Sequence, residues 1–386
     1  MSHARTGWEP EIDANGDGLA IAVIGAGAVG VTAAHDLATT GATVTVYEKG
    51  AIGSGSSGRA AGVLYDAFAT DVDAQIGART QERVRSLSGV DPFAFTDCPY
   101  IMVAHKTDTK RCEALAEGVE RMRVHGRDVS CIEPATLGSQ FPLKTDDIGV
   151  AAVSRNAGWT TPQTYVDAVA KRAVDRGVKL KTETTASIAD AEDTTTIIAN
   201  GERTTYDRVI IAAGAHTKQL LGAVGITIAM KPYRVQALTS TVPYNGPMCY
   251  DATTGVYFRP HPTGMLAGDG TELVETDPDQ WERDADTWFI DSVTDAVKQR
   301  AAYDITVDRA WAGLCTATPD ENPLCGELRD GLYVATGWQG HGFMRAAGMG
   351  EAIAKDVLGE PSIEPFDPTR FTGEESFEIT EGMAVE

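Results

Sequence analysis

Residues Ile21–Gly30, I-A-V-I-G-A-G-A-V-G, decide how this chain is read. Four apolar residues predict a buried strand, and Gly25, Gly27 and Gly30 then open a helix running to about Thr39. The first glycine permits a sharp turn, the second a close backbone approach to a pyrophosphate, and the third tight packing of helix on strand. The helix N-terminus offers N–H groups and a positive dipole end to phosphate. Gly41 stops the helix, and Ala42–Tyr47 predicts a second strand ending in Glu48, 18 residues past Gly30 (48 − 30). An acid there suits a ribose hydroxyl. The glycines alone are weak evidence, but between two strands with that acid they predict a dinucleotide site.

The 386 residues suffice for two packed cores. With 33 basic against 55 acidic side chains the formal charge is −22. Such a surface repels nucleic acid and anionic membranes, so neither is an expected partner. We read the excess as halophilic, a solubility device for a salt-rich cytoplasm; a merely acidic protein is the alternative. The six cysteines form no C-x-x-C pair and the seven histidines no helical pair, so no metal site is expected. The most apolar run, 18–34, carries the glycine fingerprint and is read as core, not as a membrane span. The N-terminus shows no secretory pattern, which predicts a cytoplasmic protein.

Further along, Gly53–Gly62 (G-S-G-S-S-G-R-A-A-G) reads as a backbone cradle. Helices are expected over 73–88, 107–125 and from Thr161-Pro162 to Gly177, the last with apolar Tyr165, Val166, Val169, Ala170, Ala173 and Val174. Asn200-Gly201 marks a hairpin, and Val209–Gly214 a central strand abutting a ligand. Alternation predicts strands at 234–241, 255–259 and 264–268, followed by an acidic helical stretch, 277–300. Leu332–Gly337 is a short strand, and a helix follows Gly340-His-Gly-Phe-Met344 to about Leu358. The charged residues beyond Phe371 are expected to be mobile.

Taken in order, G-A-G-A-V-G, S-G-S-S-G-R-A-A-G, V-I-I-A-A-G-A, V-Y-F-R-P, W-A-G-L-C-T-A-T-P-D-E-N-P-L-C-G, G-W-Q-G-H-G-F-M and D-P-T-R-F resemble the D-amino-acid oxidase/sarcosine oxidase-like family of FAD-dependent oxidoreductases. The likeness spans about 19–371 and is especially to the sarcosine oxidase β-subunit, glycine oxidase and dimethylglycine dehydrogenase branch. It implies an α/β fold: a Rossmann-like FAD-binding domain (parallel sheet, helices and a β-meander) with an inserted antiparallel-sheet substrate domain. The expected boundaries are 1–18 for an N-terminal extension, 19–90, 150–220 and 305–375 for the FAD domain, 91–149 and 221–304 for the substrate domain, and 376–386 for an acidic tail. The cofactor contacts implied are Gly25, Gly27, Gly30, Glu48, Lys49, Gly55, Ser56, Ser57, Arg59, Ala60, Ala61, Gly62, Ala186, Ala213, Gly214, Gly340, His341, Gly342, Phe343 and Met344. The reaction implied is oxidation of the C–N bond of a small amino acid or N-methylated glycine, with hydride passing to flavin and onward to oxygen or a redox partner. An oligomer is compatible with the family.

Departures from the family pattern sharpen this reading. Gly313 stands where covalently flavinylated members have cysteine, so FAD is expected to be noncovalent. Cys315 and Met344 replace an arginine and a lysine that hold substrate carboxylate in relatives. Arg345, Arg259 and Arg59 are the remaining cations, with Arg59 assigned to the cofactor; Arg345, Arg259, Tyr257 and His341 are the catalytic candidates, and Trp338 and Gln339 weaker ones. Leu266 replaces an oxygen-activating lysine, which favours a dehydrogenase. The alternatives are a nicotinamide-dependent dehydrogenase and a non-catalytic flavin-binding subunit.

Overall fold

A computed structural model describes residues 7–190, 192–361, 363–380 and 382. A six-stranded sheet runs in the order Leu324–Arg329, Leu332–Thr336, Arg208–Ile211, Ala20–Ile24, Thr43–Tyr47, Lys179–Lys181. All its pairings are parallel except that of the 324–329 edge strand. Because successive residues of a strand face opposite sides, Ile21 and Val23 pack with Val31, Val166 and Ile353 of three helices, Ala28–Thr39, Pro162–Asp175 and Gly342–Val357. Ala22 and Ile24 pack on the other side with Ile188 and Ile197 of a β-meander formed by 186–188, 196–199 and 202–205.

The second large sheet has eight strands in the order Val307–Ala317, Lys231–Ser240, Gly264–Glu272, Tyr257–His261, Met248–Asp251, Tyr100–His105, Ile148–Ser154, Val129–Cys131. One face, with Leu238, Phe258, Cys249 and Ile101, packs on Phe289, Val293 and Val297 of helix Thr287–Ala301. The other face carries Tyr100, Met102, Met248, Tyr250 and Tyr257 into the core of the six-stranded unit. The sheet is mainly antiparallel, with one parallel pair, 248–251 against 100–105.

Strands 307–317 and 148–154 hydrogen-bond into the eight-stranded sheet. Several expectations are corrected. The acidic stretch is helical only from Thr287; Asp277 folds back onto the Asp279 N–H, and Asp284 bridges to Trp311, so 277–286 stays irregular. Val174 is 47% exposed, on the outer flank of its helix. Thr161 precedes that helix without a side-chain cap, leaving Pro162 to start it. Residues 372–380 are docked: Ile379 is buried and Lys231 donates to the Phe377 carbonyl. No helix among the described residues is long and apolar enough to cross a membrane, and no metal-ligating cluster occurs among them.

Candidate functional site

The glycine turn leaves no room for side chains. A Cβ on Gly25, at φ +112°, would lie 2.3 Å from the Ala212 carbonyl oxygen, and one on Gly30 2.1 Å from that of Gly25. Gly27 caps the first helix without a side chain; instead Ser57 Oγ accepts from the Ala28 N–H at 2.9 Å, tying cradle to helix. Glu48 is held at the mouth of the turn, accepting from the N–H groups of Ala26 and Gly50 at 2.9 Å each. Lys49 reaches His216 at 2.7 Å.

The cradle itself is a short helix, Ser56–Arg59, begun by Gly55. Ser56 donates to the Leu314 carbonyl, and Trp311 Nε1 donates to the Arg59 carbonyl, at 2.5 and 3.1 Å, so strand 307–317 lies directly over it. Arg59 donates to Ser54 O; burial, then the nearby Arg283 and Arg309, lower its pKa. Gly62, at φ +71°, would meet Thr160 O at 2.2 Å if it carried a Cβ, so Ala60, Ala61 and Gly62 run hard against strand 157–159. Ala213-Gly214 follow the strand beside the glycine turn, and Thr336 bonds the Gly214 carbonyl at 3.3 Å. Ala186 is buried in the meander beside Tyr47.

Cross-strand register defines the face that overlooks the cradle. Trp311 pairs with Ala237, Ala237 with Gly268, and Gly268 with Tyr257, which pairs with Tyr250. Directly paired residues share a face, so this row places Tyr257 and Trp311 on the same side. The neighbouring rows on that side hold Arg259 and Leu266, and Tyr233 and Cys315.

Arg259 is 1% exposed and donates to the carbonyls of Ala61, Pro260 and Thr160, with its guanidinium 4.9 Å from the Trp159 ring. Burial without a carboxylate beside it pushes its pKa down to about 9. Arg345 is likewise buried and forms an ion pair with Asp73. His341 precedes helix Gly342–Val357, packs edge-on against Phe68 at 5.8 Å, and is pushed down to about 3 by burial and then by Arg345, so it is neutral at ordinary pH. Gly340 has φ +74°, Phe343 packs edge-on against Tyr165 at 5.6 Å, and Met344 is buried. The structure therefore gathers the turn, the cradle and Tyr257 on one side, while all three arginines are already engaged. Sequence reading missed Tyr233 and Tyr100, which extending the period-two alternation of their strands identifies, and Tyr250, whose short, wholly buried strand shows no alternation.

The geometry agrees with comparisons to known proteins. The family described as FAD dependent oxidoreductase matches residues 20–355. The chain is 27% identical over 332 residues to the tRNA 5-methylaminomethyl-2-thiouridine biosynthesis bifunctional protein MnmC of Chromohalobacter salexigens, covering 80% of this chain and 45% of that one. It is 25% identical over 406 residues to mitochondrial dimethylglycine dehydrogenase of Rattus norvegicus, covering 94% and 46%. The chain thus spans about half the length of these two relatives. The crystal structure of L-proline dehydrogenase from P. horikoshii superposes with a TM-score of 0.83 at 26% identity, covering 92% of this chain and 98% of that one. A nicotinamide enzyme, the alternative left open by the glycine turn, is set aside by this match. The chain belongs to the FAD dependent oxidoreductase family, and its cofactor is FAD.

Proposed function

We propose that this protein oxidises the C–N bond of a small amino acid or N-methylated amino acid, with noncovalent FAD as the acceptor. The observation that carries the reading is the union of a side-chain-free phosphate turn and a small-residue cradle beneath a sheet face bearing Tyr257. Likeness to a dimethylglycine dehydrogenase and an L-proline dehydrogenase supports the substrate class.

In this reading Gly25, Gly27 and Gly30 admit the pyrophosphate, and Glu48, with Lys49 beside it, meets the ribose. Gly55, Ser56, Ser57, Arg59, Ala60, Ala61 and Gly62 line the pyrophosphate and ring, Ala186 lies at the adenine, and Ala213-Gly214 abut the cofactor. Gly340–Met344 present a helix N-terminus to negative charge on the ring. Bound FAD supplies the hydride acceptor. The chain's own task is to orient the amine and exclude water. Tyr257 and neutral His341 contact substrate in this reading; the neutral imidazole offers one N–H donor and one acceptor nitrogen, and its lowered pKa makes it a poor proton acceptor. Arg259 braces the cradle and Arg345 the helix, each acting as a positioning residue. Leu266, 2% exposed, carries no charge of its own, and the cation across the ladder, Arg259, is spent on the carbonyls of Ala61, Pro260 and Thr160, which favours a dehydrogenase over an oxidase.

The engagement of Arg59, Arg259 and Arg345 favours one second reading, a flavin-binding subunit whose substrate site lies on a partner. Anaerobic titration of the yellow protein with sarcosine, dimethylglycine, glycine, proline enantiomers and D-amino acids decides. Bleaching by one amine with slow recovery in air supports the proposal, and fast recovery makes the protein an oxidase. A flavin spectrum untouched by every amine sinks the catalytic reading.

A further inference from the structure

We propose that residues 372–380 form a strap that walls one side of the substrate site and limits the length of substrate admitted, an inference that rests on the function proposed above. The segment T-G-E-E-S-F-E-I-T alternates: Gly373, Glu375, Phe377 and Ile379 turn inward, while Thr372, Glu374, Ser376 and Glu378 stay exposed. Over 376–380 this alternation is the signature of an extended chain lying on a surface, while 372–375 close a local turn with Gly373 at φ +90°. In so acidic a protein, a segment with three glutamates over residues 374–378 is expected to stay solvated unless specific contacts hold it.

Those contacts join two walls of the site. Ile379, 5% exposed, packs with Tyr233 and Ala317, and Phe377 and Cys315 border the same cluster. Tyr233 pairs with Cys315 and Lys231 with Ala317, successive rungs of the sheet face that also carries Tyr257. Lys231 anchors the strap from below, its ammonium 4.5 Å from the Phe377 ring centroid and bonded to the Phe377 carbonyl. On the other side, Gln339 Nε2 donates to Thr380 O at 2.7 Å, and Thr380 Oγ1 reaches Glu321 at 2.7 Å. Gln339 is 2% exposed, has φ +47°, and immediately precedes Gly340 and His341. A Cβ on Gly340 would lie 3.7 Å from the Tyr233 hydroxyl, so the two walls meet where the strap crosses.

The strap therefore does two things at once. It holds the backbone before the 342–357 helix in a left-handed conformation that glutamine otherwise disfavours. It also fills the space over Tyr233 and Cys315 with Ile379, so a substrate extending in that direction meets a branched side chain. Glu375 turns onto the strap's own Thr372 and Gly373 N–H groups rather than toward the site, which leaves this wall apolar. The substrates it fits are short, and any tail they project toward the wall is aliphatic.

The test compares the flavin-loaded full chain with Ile379→Ala, Ile379→Asp and a deletion after Phe371. Acrylamide quenching of flavin fluorescence, which needs no substrate, is expected to rise at least about twofold in the last two as the segment opens locally. In Ile379→Ala, kcat/KM across amines of increasing chain length is expected to shift toward the longer members by roughly tenfold, with FAD affinity unchanged. Unchanged quenching and an unchanged length profile in flavin-loaded variants overturn the strap. If the deletion fails to fold, the two point variants still decide. A wild-type chain that no amine reduces counts against the proposed function; quenching still tests whether the strap shields the flavin.

Discussion

Arg345 and Asp73 pair across the first turns of two helices, Gly342–Val357 and Asp71–Leu87, with Arg345 3% and Asp73 17% exposed. A cation at a helix N-terminus opposes the helix dipole, so Asp73 offsets a local penalty as well as the desolvation of the guanidinium. Arg345→Gln and Asp73→Asn are each expected to lower unfolding free energy by about 3 kcal/mol, and the double variant by less than the sum. Urea unfolding of the holoprotein checks this. Loss of substrate affinity at unchanged stability in Arg345→Gln alone would restore this arginine as a carboxylate anchor.

Arg259 ties three carbonyls together, and two of them, Ala61 and Thr160, flank the cradle. Arg259→Met leaves those oxygens buried without a donor, at about 1–3 kcal/mol each. We expect the purified variant to carry less flavin and to melt lower. Arg259→Lys should rescue only in part, because an ammonium does not reproduce the planar fork.

Glu48 already faces the N–H groups of Ala26 and Gly50, with no rearrangement required to present its carboxylate. Hydrogen bonds to a charged group contribute about 1.5–3 kcal/mol, so Glu48→Ala is expected to weaken FAD binding by roughly ten- to a hundredfold. Fluorescence titration of the apoprotein measures it. Equal affinity in the variant would remove Glu48 from the cofactor site.

Acid should destabilise the fold. His341 and His261 are pushed down to about 3 and about 4, chiefly by burial, from an ordinary 6.5. Below pH 6.5 the unfolded chain takes up protons that the folded chain refuses, so stability is complete above that value and declines as pH falls toward 4. Asp356, raised by burial to about 6, works oppositely, since its folded form keeps a proton that the unfolded chain has lost. Melting temperature against pH is therefore expected to fall less steeply in His341→Asn and more steeply in Asp356→Asn.

The net charge of −22 predicts a salt response. At about 1 M salt the screening length is about 3 Å, which suppresses repulsion among surface carboxylates. Melting temperature should rise from low to molar salt. A flat profile would leave the chain merely acidic.

Most of the architecture was legible because local rules and packing agree. The glycine turn, strand 43–47 and the Asn200-Gly201 hairpin each follow from turn chemistry or periodicity. Strand 248–251 was missed because its four residues are buried on both faces, leaving no alternation, although it pairs with nearby 257–261 as well as with distant 100–105. Helix 287–301 was extended too far back because composition does not reveal that the Asp277 carboxylate accepts from the Asp279 N–H. The tight turn at Gly25 could be read from the sequence, because a glycine's conformation is local. The commitments of Arg259 and Arg345 could not, since Ala61 and Asp73 lie 198 and 272 positions distant and only the fold brings them into reach.

The Arg259–Leu266 pairing constrains the order in which this site can change over generations. The two stand directly opposite on adjacent antiparallel strands. A lysine arising at 266 would face a buried like charge across the ladder, which is destabilising. A cation there is better tolerated once Arg259 is lost, and with it the bonds to Ala61 and Thr160. The intermediate on that path loses the bonds that tie 61 to 160, so the apolar residue at 266 is held in place by its neighbour.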